Sequence, residues 1–297
     1  MQKIFFFAFF LLTLSSFFWS GNFFVGKLAF NNDLSPFKLS FFRWLLAFII
    51  LLPLTINEIT KTFYIYKKNL FFILIVSILG VTIFNSFTYI SLRTTLVINS
   101  SLMASMTPVL IIGFSWLIFK TKTTSFQFMG ILLSLLGAIC IVLKGNINNL
   151  FNLFFTPGDI WMIVAIFSWS LYSVLLKKIN SKLSQLAILE IMIFLGLIFI
   201  IPFYIFESLD NGFLPNKITE FYMIIYVAIF AGIISFFCWN KGVSIIGANR
   251  AGFFLHLIPV FSSIWAIFFL KEVFSSFHLI GAILILLGII LSNFKRI

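Results

Sequence analysis

The stretch "IGANRAGFFLHLIPVFSSIWAIFFLKE", residues 246–272, holds a largely apolar run of about twenty residues between Arg250 and the Lys271-Glu272 pair, the length an α-helix needs to cross a bilayer. His256 and Pro259 interrupt it. Proline lacks an N–H and leaves a helix carbonyl unpaired. In a membrane that defect is tolerated where protein or a water-filled cavity satisfies the freed group. The stretch therefore predicts a transmembrane helix that borders a cavity.

The rest of the 297-residue chain has the same character, with 62% hydrophobic and 9% charged residues. A soluble domain carries roughly a quarter charged residues. The 44 phenylalanines are read as compositional bias and given no functional weight. A net charge of +12 would suggest nucleic acid in a soluble protein. Here the cations sit singly and in pairs in short loops, the pattern that encodes membrane orientation, and no nucleic-acid partner is expected. The opening "MQKIFFFAFFLLTLSSFFWSG" exceeds a signal-peptide core and lacks a small-x-small cleavage site, so it is read as an uncleaved first span. Cys140 and Cys238 fall in apolar runs without metal-ligand spacing, and no metal or cofactor is expected.

Apolar runs between polar breaks predict ten spans, at 4–26, 36–55, 70–90, 96–119, 126–143, 159–177, 184–206, 220–241, 250–270 and 276–294. Without strand-like alternation each is expected to be helical, since a lipid-embedded backbone must bond to itself. Placing both termini in the cytoplasm puts Lys3, Lys61, Lys67, Lys68, Lys120, Lys122, Lys177, Lys178, Lys182, Lys241, Arg250, Lys295 and Arg296 inside. Lys27, Lys38, Arg93, Lys144, Lys217 and Lys271 fall outside, a ratio of roughly two to one that obeys the positive-inside rule.

The chain also repeats itself. At an offset of 150, Phe17, Trp19, Ser20 and Lys27 match Phe167, Trp169, Ser170 and Lys177. At 151, Pro108-Val109 matches Pro259-Val260, Lys120 matches Lys271, Gly130 matches Gly281 and Gly137 matches Gly288. The expected division is a first repeat at 1–143, a connecting loop at 144–158 and a second repeat at 159–297. Five spans is an odd number, so the second repeat must enter from the opposite side, giving an all-α membrane protein of two inverted five-helix repeats with a midplane site between them. The paired glycines are spaced to lie on one helix face and are read as close-packing positions.

With these residues in view, "FFCWNKGVSIIGANRAGFFLHLIPVFSSIWAIFFLKEVFSSFHLIGAILILLGIILSN" resembles the second repeat of EamA-type members of the drug/metabolite transporter superfamily. "YISLRTTLVINSSLMASMTPVL" followed by "FQFMGILLSLLGAICIVL" resembles the first. The resemblance implies ten helices, alternating access and transport of small organic metabolites, often outward, across the bacterial inner membrane. The family often carries a glutamate in the loop after the fourth and ninth spans; Glu272 stands at the second place but Thr121 at the first. Arg43 stands where the family commonly has an arginine.

Helical spacing puts Asn249, Gly252, His256, Pro259 and Ser263 on one stripe of the ninth span, with Ser101, Ser105 and Pro108 as the related stripe of the fourth. Both stripes are expected to line the cavity, with Pro108 and Pro259 bending their helices, although the prolines have an equally good reading as packing devices. Trp19, Ser20, Asn22, Asn85, Tyr89, Trp169, Tyr172, Trp239 and Asn240 are further cavity candidates. Taken singly, the Trp and Tyr residues also fit interfacial anchors. The intramembrane ionisable residues are Arg43, Glu190 and His256. Such groups face protein or water. Arg43 and Glu190 are expected to pair or to cap polar groups. His256 and Glu190 are the candidates for proton coupling, set against a neutral histidine bonded to a neighbouring helix.

The leading expectation is a secondary transporter of small metabolites, with amino acids or related compounds as cargo and export as direction. Import of nucleotide-like or sugar-like metabolites is the alternative. A multi-pass membrane enzyme is a third reading, disfavoured because no HExxH, GxSxG or acid cluster is present. A pump driven by nucleotide hydrolysis lacks its GxxxxGK[ST] loop. Membrane lipid and a small-molecule substrate are the expected partners.

Overall fold

The computed structural model describes residues 2–95, 97–151, 154–179, 184–271 and 273–293. Glu272, Lys182, Lys295 and Arg296 lie outside them. Every regular element among the described residues is helical. The first half comprises α1 (Gln2–Asn31), α2 (Pro36–Ser77), α3 (Phe84–Thr94), α4 (Val97–Ala104), α5 (Thr107–Phe119) and α6 (Ser125–Val142). A short α7 (Asn148–Phe151) follows in the segment expected to be a loop. Then come α8 (Pro157–Leu175), α9 (Gln185–Asn211), α10 (Ile218–Tyr226), α11 (Ser235–Ile246), α12 (Ala248–Gly252), α13 (Leu257–Leu270) and α14 (Ser276–Asn293). The π-helical stretches Ile78–Ile83 and Val227–Ile234 join α2 to α3 and α10 to α11.

Among the described residues, nine helical stretches are long and apolar enough to cross a membrane, where ten spans were expected. The second and third expected spans fall in one stretch, Pro36–Thr94, because helical bonding continues through the predicted break at 56–69. That stretch is not straight. Arg43 donates to Tyr89, 46 residues on, whereas 46 residues of straight helix would span about 69 Å. Helix α9 shows the path. Phe41 stacks on Tyr204 at 4.1 Å, Phe48 lies 5.9 Å from Phe194, and Glu58 bonds Ser184. Thr82 then returns to the Gly196 carbonyl at 3.0 Å, so the chain reverses between Glu58 and Thr82.

The antiparallel pair α2 and α9 is held at both ends by carboxylates. Glu207 Oε2 accepts from the backbone N–H groups of Phe37 and Lys38 at 2.8 and 3.2 Å, at the start of α2. Glu58 accepts from Ser184 N and Ser184 Oγ at 3.1 and 2.6 Å, at the start of α9. Each glutamate thus supplies an anion to the orphan donors and positive dipole end of the other's helix. Glu58→Gln and Glu207→Gln should each lower stability by about 0.5–2 kcal/mol, the usual cost of losing a cap. The two sites lie at opposite ends of the pair, so the double variant should show the sum. Thermal unfolding of the purified protein in mild detergent reads both; strong non-additivity would mean that the caps act as one unit.

The repeat in the sequence recurs in local geometry. Asn85 Nδ2 donates to the Gly80 carbonyl in the first π-helical stretch, and Ser235 Oγ donates to the Phe230 carbonyl in the second, at an offset of 150. Lys120 and Lys271 end α5 and α13 in the left-handed conformation, with φ of 53° and 55°. Helices α6 and α14 cross antiparallel with Gly130 against the Gly288 carbonyl and Gly137 against that of Gly281.

Where the proline bends were expected, the α-helical bonding is interrupted just upstream of each proline. Helix α4 ends at Ala104 and α5 begins at Thr107, with Pro108 in its first turn. Helix α12 ends at Gly252, a 3-10 turn covers Phe253–His256, and Pro259 falls in the first turn of α13. Proline cannot donate to the preceding turn but is tolerated where a new helix starts, since that N–H would be orphaned anyway.

Candidate functional site

These breaks border a cavity of about 900 Å³. Its walls come chiefly from α1, α8 and α13, with smaller contributions from other helices, α4 and α6 among them, and it includes the exposed Lys144 at one end of the bundle. Of the predicted residues, Trp19, Ser20, Asn22, Ser101, Ser105 and Trp169 lie on it, together with Pro259 and Ser263. Trp19 and Trp169, equivalent positions of the repeat, meet edge to face at 4.9 Å, and Trp239 packs 5.6 Å from each.

The other candidates are packed behind the wall. Tyr172 donates to Asn240 Oδ1 at 2.6 Å, Trp239 Nε1 donates to Ser173 Oγ at 3.2 Å, and Asn85 is spent on the Gly80 carbonyl. Gly252 faces Pro108 and Ile111 of α5. The predicted stripe of the ninth span therefore divides at the 3-10 turn. Beyond it the stripe continues as Pro259, Ser262, Ser263 and Ala266 along the cavity, while Gly252 and His256 turn into the bundle.

His256 is fully buried. Its Nε2 lies 2.9 Å from the Ser105 carbonyl and its Nδ1 2.8 Å from Ser134 Oγ. A carbonyl only accepts, so Nε2 carries the proton. Nδ1 of the neutral ring then accepts from the serine. The separation of His256 and Ser105 is 151, the offset of the repeat, so the imidazole ties one broken helix to its equivalent through a carbonyl that the break at Ser105 has released.

Arg43 is also fully buried and just behind the wall. It donates to Asn22 Oδ1 at 3.2 Å, Tyr89 Oη at 2.7 Å and the Ala231 carbonyl at 2.9 Å, and Tyr89 itself donates to Asn22 at 2.8 Å. Its guanidinium lies 4.7 Å from the Trp44 ring centre. The expected Arg43–Glu190 pair is not formed: Glu190 is buried with neither oxygen partnered among the described residues. Arg43 instead caps a carbonyl of the second π-helical stretch, where helical bonding is locally loosened.

Sequence reasoning missed Lys27, Tyr226 and Trp265, all on the cavity. Lys27 was expected as an outer loop charge and as a repeat match to Lys177, not as a cavity residue. It lies in α1 seven residues after Ser20, hence on the same face, a signal that was present. Trp265 Nε1 donates to Ser20 Oγ at 2.8 Å and ties α13 to α1.

A bundle of apolar, membrane-length helices, two of them interrupted beside a cavity, defines a polytopic membrane protein. The chain belongs to the EamA-like transporter family, whose model matches residues 6–143 and again 156–294. It is 26% identical over 300 residues to an uncharacterized transporter of Archaeoglobus fulgidus, covering 96% of this chain and 97% of that one. The uncharacterized transporter YetK of Bacillus subtilis is 29% identical over 273 residues, covering 92% and 82% of the two chains. A probable amino-acid metabolite efflux pump of Escherichia coli is 25% identical over 175 residues, covering 57% of this chain and 58% of its own. A crystal structure superposes with a TM-score of 0.75 over 99% of this chain and 98% of that chain; at 16% identity it speaks for the fold alone.

Proposed function

We propose that the protein is a secondary active transporter that carries small organic metabolites across the inner membrane by alternating access. The cavity bounded by broken helices from both halves carries this reading. The reversal within Pro36–Thr94 supports ten crossings, and the two family matches support repeats at 1–143 and 159–297 joined by 144–158. The antiparallel glycine contacts of α6 and α14 favour an inverted relation between them. With both termini cytoplasmic, as the distribution of Lys and Arg favours, the mouth near Lys144 lies outside and this conformation faces outward. Amino acids or related compounds as cargo, and export as direction, are supported by the partial likeness to the Escherichia coli efflux pump.

Counterflow in proteoliposomes tests transport: saturable exchange of a labelled metabolite is expected, while product formation without net movement would replace this reading with a membrane enzyme. An imposed pH gradient tests coupling. Glu190, buried and without a partner among the described residues, is our proton carrier, and Glu190→Gln should abolish stimulation by the gradient. His256→Gln should keep it, because that ring is fixed between Ser134 and Ser105 away from the cavity. Unchanged stimulation in both variants would remove proton coupling from the mechanism.

A further inference from the structure

The residues along the cavity include Lys27 and Lys144 near the mouth and no aspartate or glutamate among the described residues. Lys27 Nζ donates to the Leu92 and Thr95 carbonyls at 2.9 and 3.5 Å. Both acceptors are neutral, and an ammonium group has a third N–H to give. The nearest acid in that bonded chain, Asp159, is already occupied by Thr95 Oγ1, Asn99 Nδ2 and the Thr156 N–H, and it caps α8. Arg43 adds a third positive charge one side chain behind the wall, through Asn22.

The uncharged polar groups point the same way. Asn22 Oδ1 already accepts from Arg43 and Tyr89, so the one side-chain amide on the wall has little left for a cation. The Trp169 ring lines the cavity while its Nε1 is buried away from it, without a partner among the described residues; its equivalent Trp19 Nε1 donates to the Ala231 carbonyl at 3.0 Å. The floor of the cavity is thus aromatic, and its cations stand near the mouth. The remaining walls are largely apolar, with Phe23, Phe84, Tyr226 and Trp265 among them.

We infer that the cavity takes a carboxylate-bearing metabolite with an apolar or aromatic body and no compensating ammonium group, its anionic end toward Lys27. This rests on the transport reading above and deepens it, narrowing the cargo from amino acids to their deaminated relatives. A zwitterion would bring an ammonium group to a cavity whose described residues offer it no carboxylate, while a bare anion meets the complementary charge of Lys27.

Four probes with one phenyl body separate the cases: 3-phenylpropionate, 3-phenylpropionamide, L-phenylalanine and 2-phenylethylamine, each titrated against the purified full-length protein by thermal shift and calorimetry. Phenylpropionate should bind at least about tenfold more tightly than the amide, and the amine most weakly. Lys27→Gln should remove the advantage of the carboxylate while leaving amide binding unchanged, and Lys27→Arg should restore it. A general loss of fold would weaken all four probes alike, so the ratio of carboxylate to amide isolates the charge. Equal or tighter binding of the amine, or no binding by any of the four, overturns the inference. Saturable counterflow of some other solute would still leave the transport reading standing.

Discussion

Asn22→Leu is expected to destabilise the folded protein by about 3–5 kcal/mol, more than removal of Arg43 itself. Asn22 Oδ1 accepts from both Arg43 and Tyr89, and among the described residues no carboxylate bonds the guanidinium, whose partners are Asn22, Tyr89, the Ala231 carbonyl and the Trp44 ring. Removing a partner of a buried charge strands that charge, whereas removing the charge relieves a desolvation cost. In Arg43→Met the Tyr89–Asn22 bond survives and the Ala231 carbonyl keeps Trp19 Nε1 as donor, so little is left unsatisfied. We expect Arg43→Met to cost less than about 2 kcal/mol, and Arg43→Met added to Asn22→Leu to recover much of the loss. Thermal unfolding in mild detergent measures all three. If the double variant is as unstable as the sum of the singles, Arg43 is not the group that Asn22 serves. Transport should fail in Arg43→Met even where the fold holds, because the arginine fixes the π-helical stretch beside the aromatic floor.

Hydropathy made the helices legible because a bilayer requires about twenty apolar residues wherever a chain crosses it, irrespective of neighbours. It did not show that helical bonding would persist through the expected break at 56–69, because that depends on a reversal held from outside, here by Glu58 on Ser184 and Thr82 on the Gly196 carbonyl. The offset of the repeat exposed Pro108 and Pro259, but not where the helices break, since proline selects the start of the new helix and leaves the end of the old one to its surroundings. The cavity was only half legible. Trp19, Ser105 and Ser263 line it and Tyr172, Trp239 and His256 do not, although all are aromatic or polar residues within apolar runs. Composition tells that such a group must find a partner. It does not tell whether the partner is a neighbouring helix or a bound molecule. Extrapolating a 3.6-residue period through the 3-10 turn at Phe253–His256 carried the error into the lower half of the ninth span. Glu58 and Glu207 carry no sequence signal of their role, because capping across the bundle leaves no local motif.

The other large effect is expected at the crossing of α6 and α14. A Cβ built on Gly137 would stand 2.6 Å from the Gly281 carbonyl oxygen, and one on Gly281 would stand 2.7 Å from that of Gly137. Gly130 and Gly288 repeat the arrangement at 2.7 and 2.6 Å. These carbonyl oxygens are backbone, which cannot rotate away as a side chain can, so a substitution must push the two helices apart even where a side chain such as Ile141, which a Cβ on Gly281 would also meet, gives way. Overpacking of this kind costs about 1–3 kcal/mol for a single added methyl group, and Gly137→Val should exceed that range. Gly113 is the internal control. It lies in α5 with nothing within 4 Å of its missing Cβ, and Gly113→Ala should be neutral or stabilise by up to about 1 kcal/mol through helix propensity. The combination distinguishes a shared contact from independent defects. Once Gly137→Ala has separated the helices, Gly281→Ala meets a gap already opened at the same contact, so the double variant should be less unstable than the sum of the two. Strict additivity would mean that each clash is relieved locally, by Ile141 or Ile285 yielding, and that the glycine carbonyls do not set the distance between the two halves.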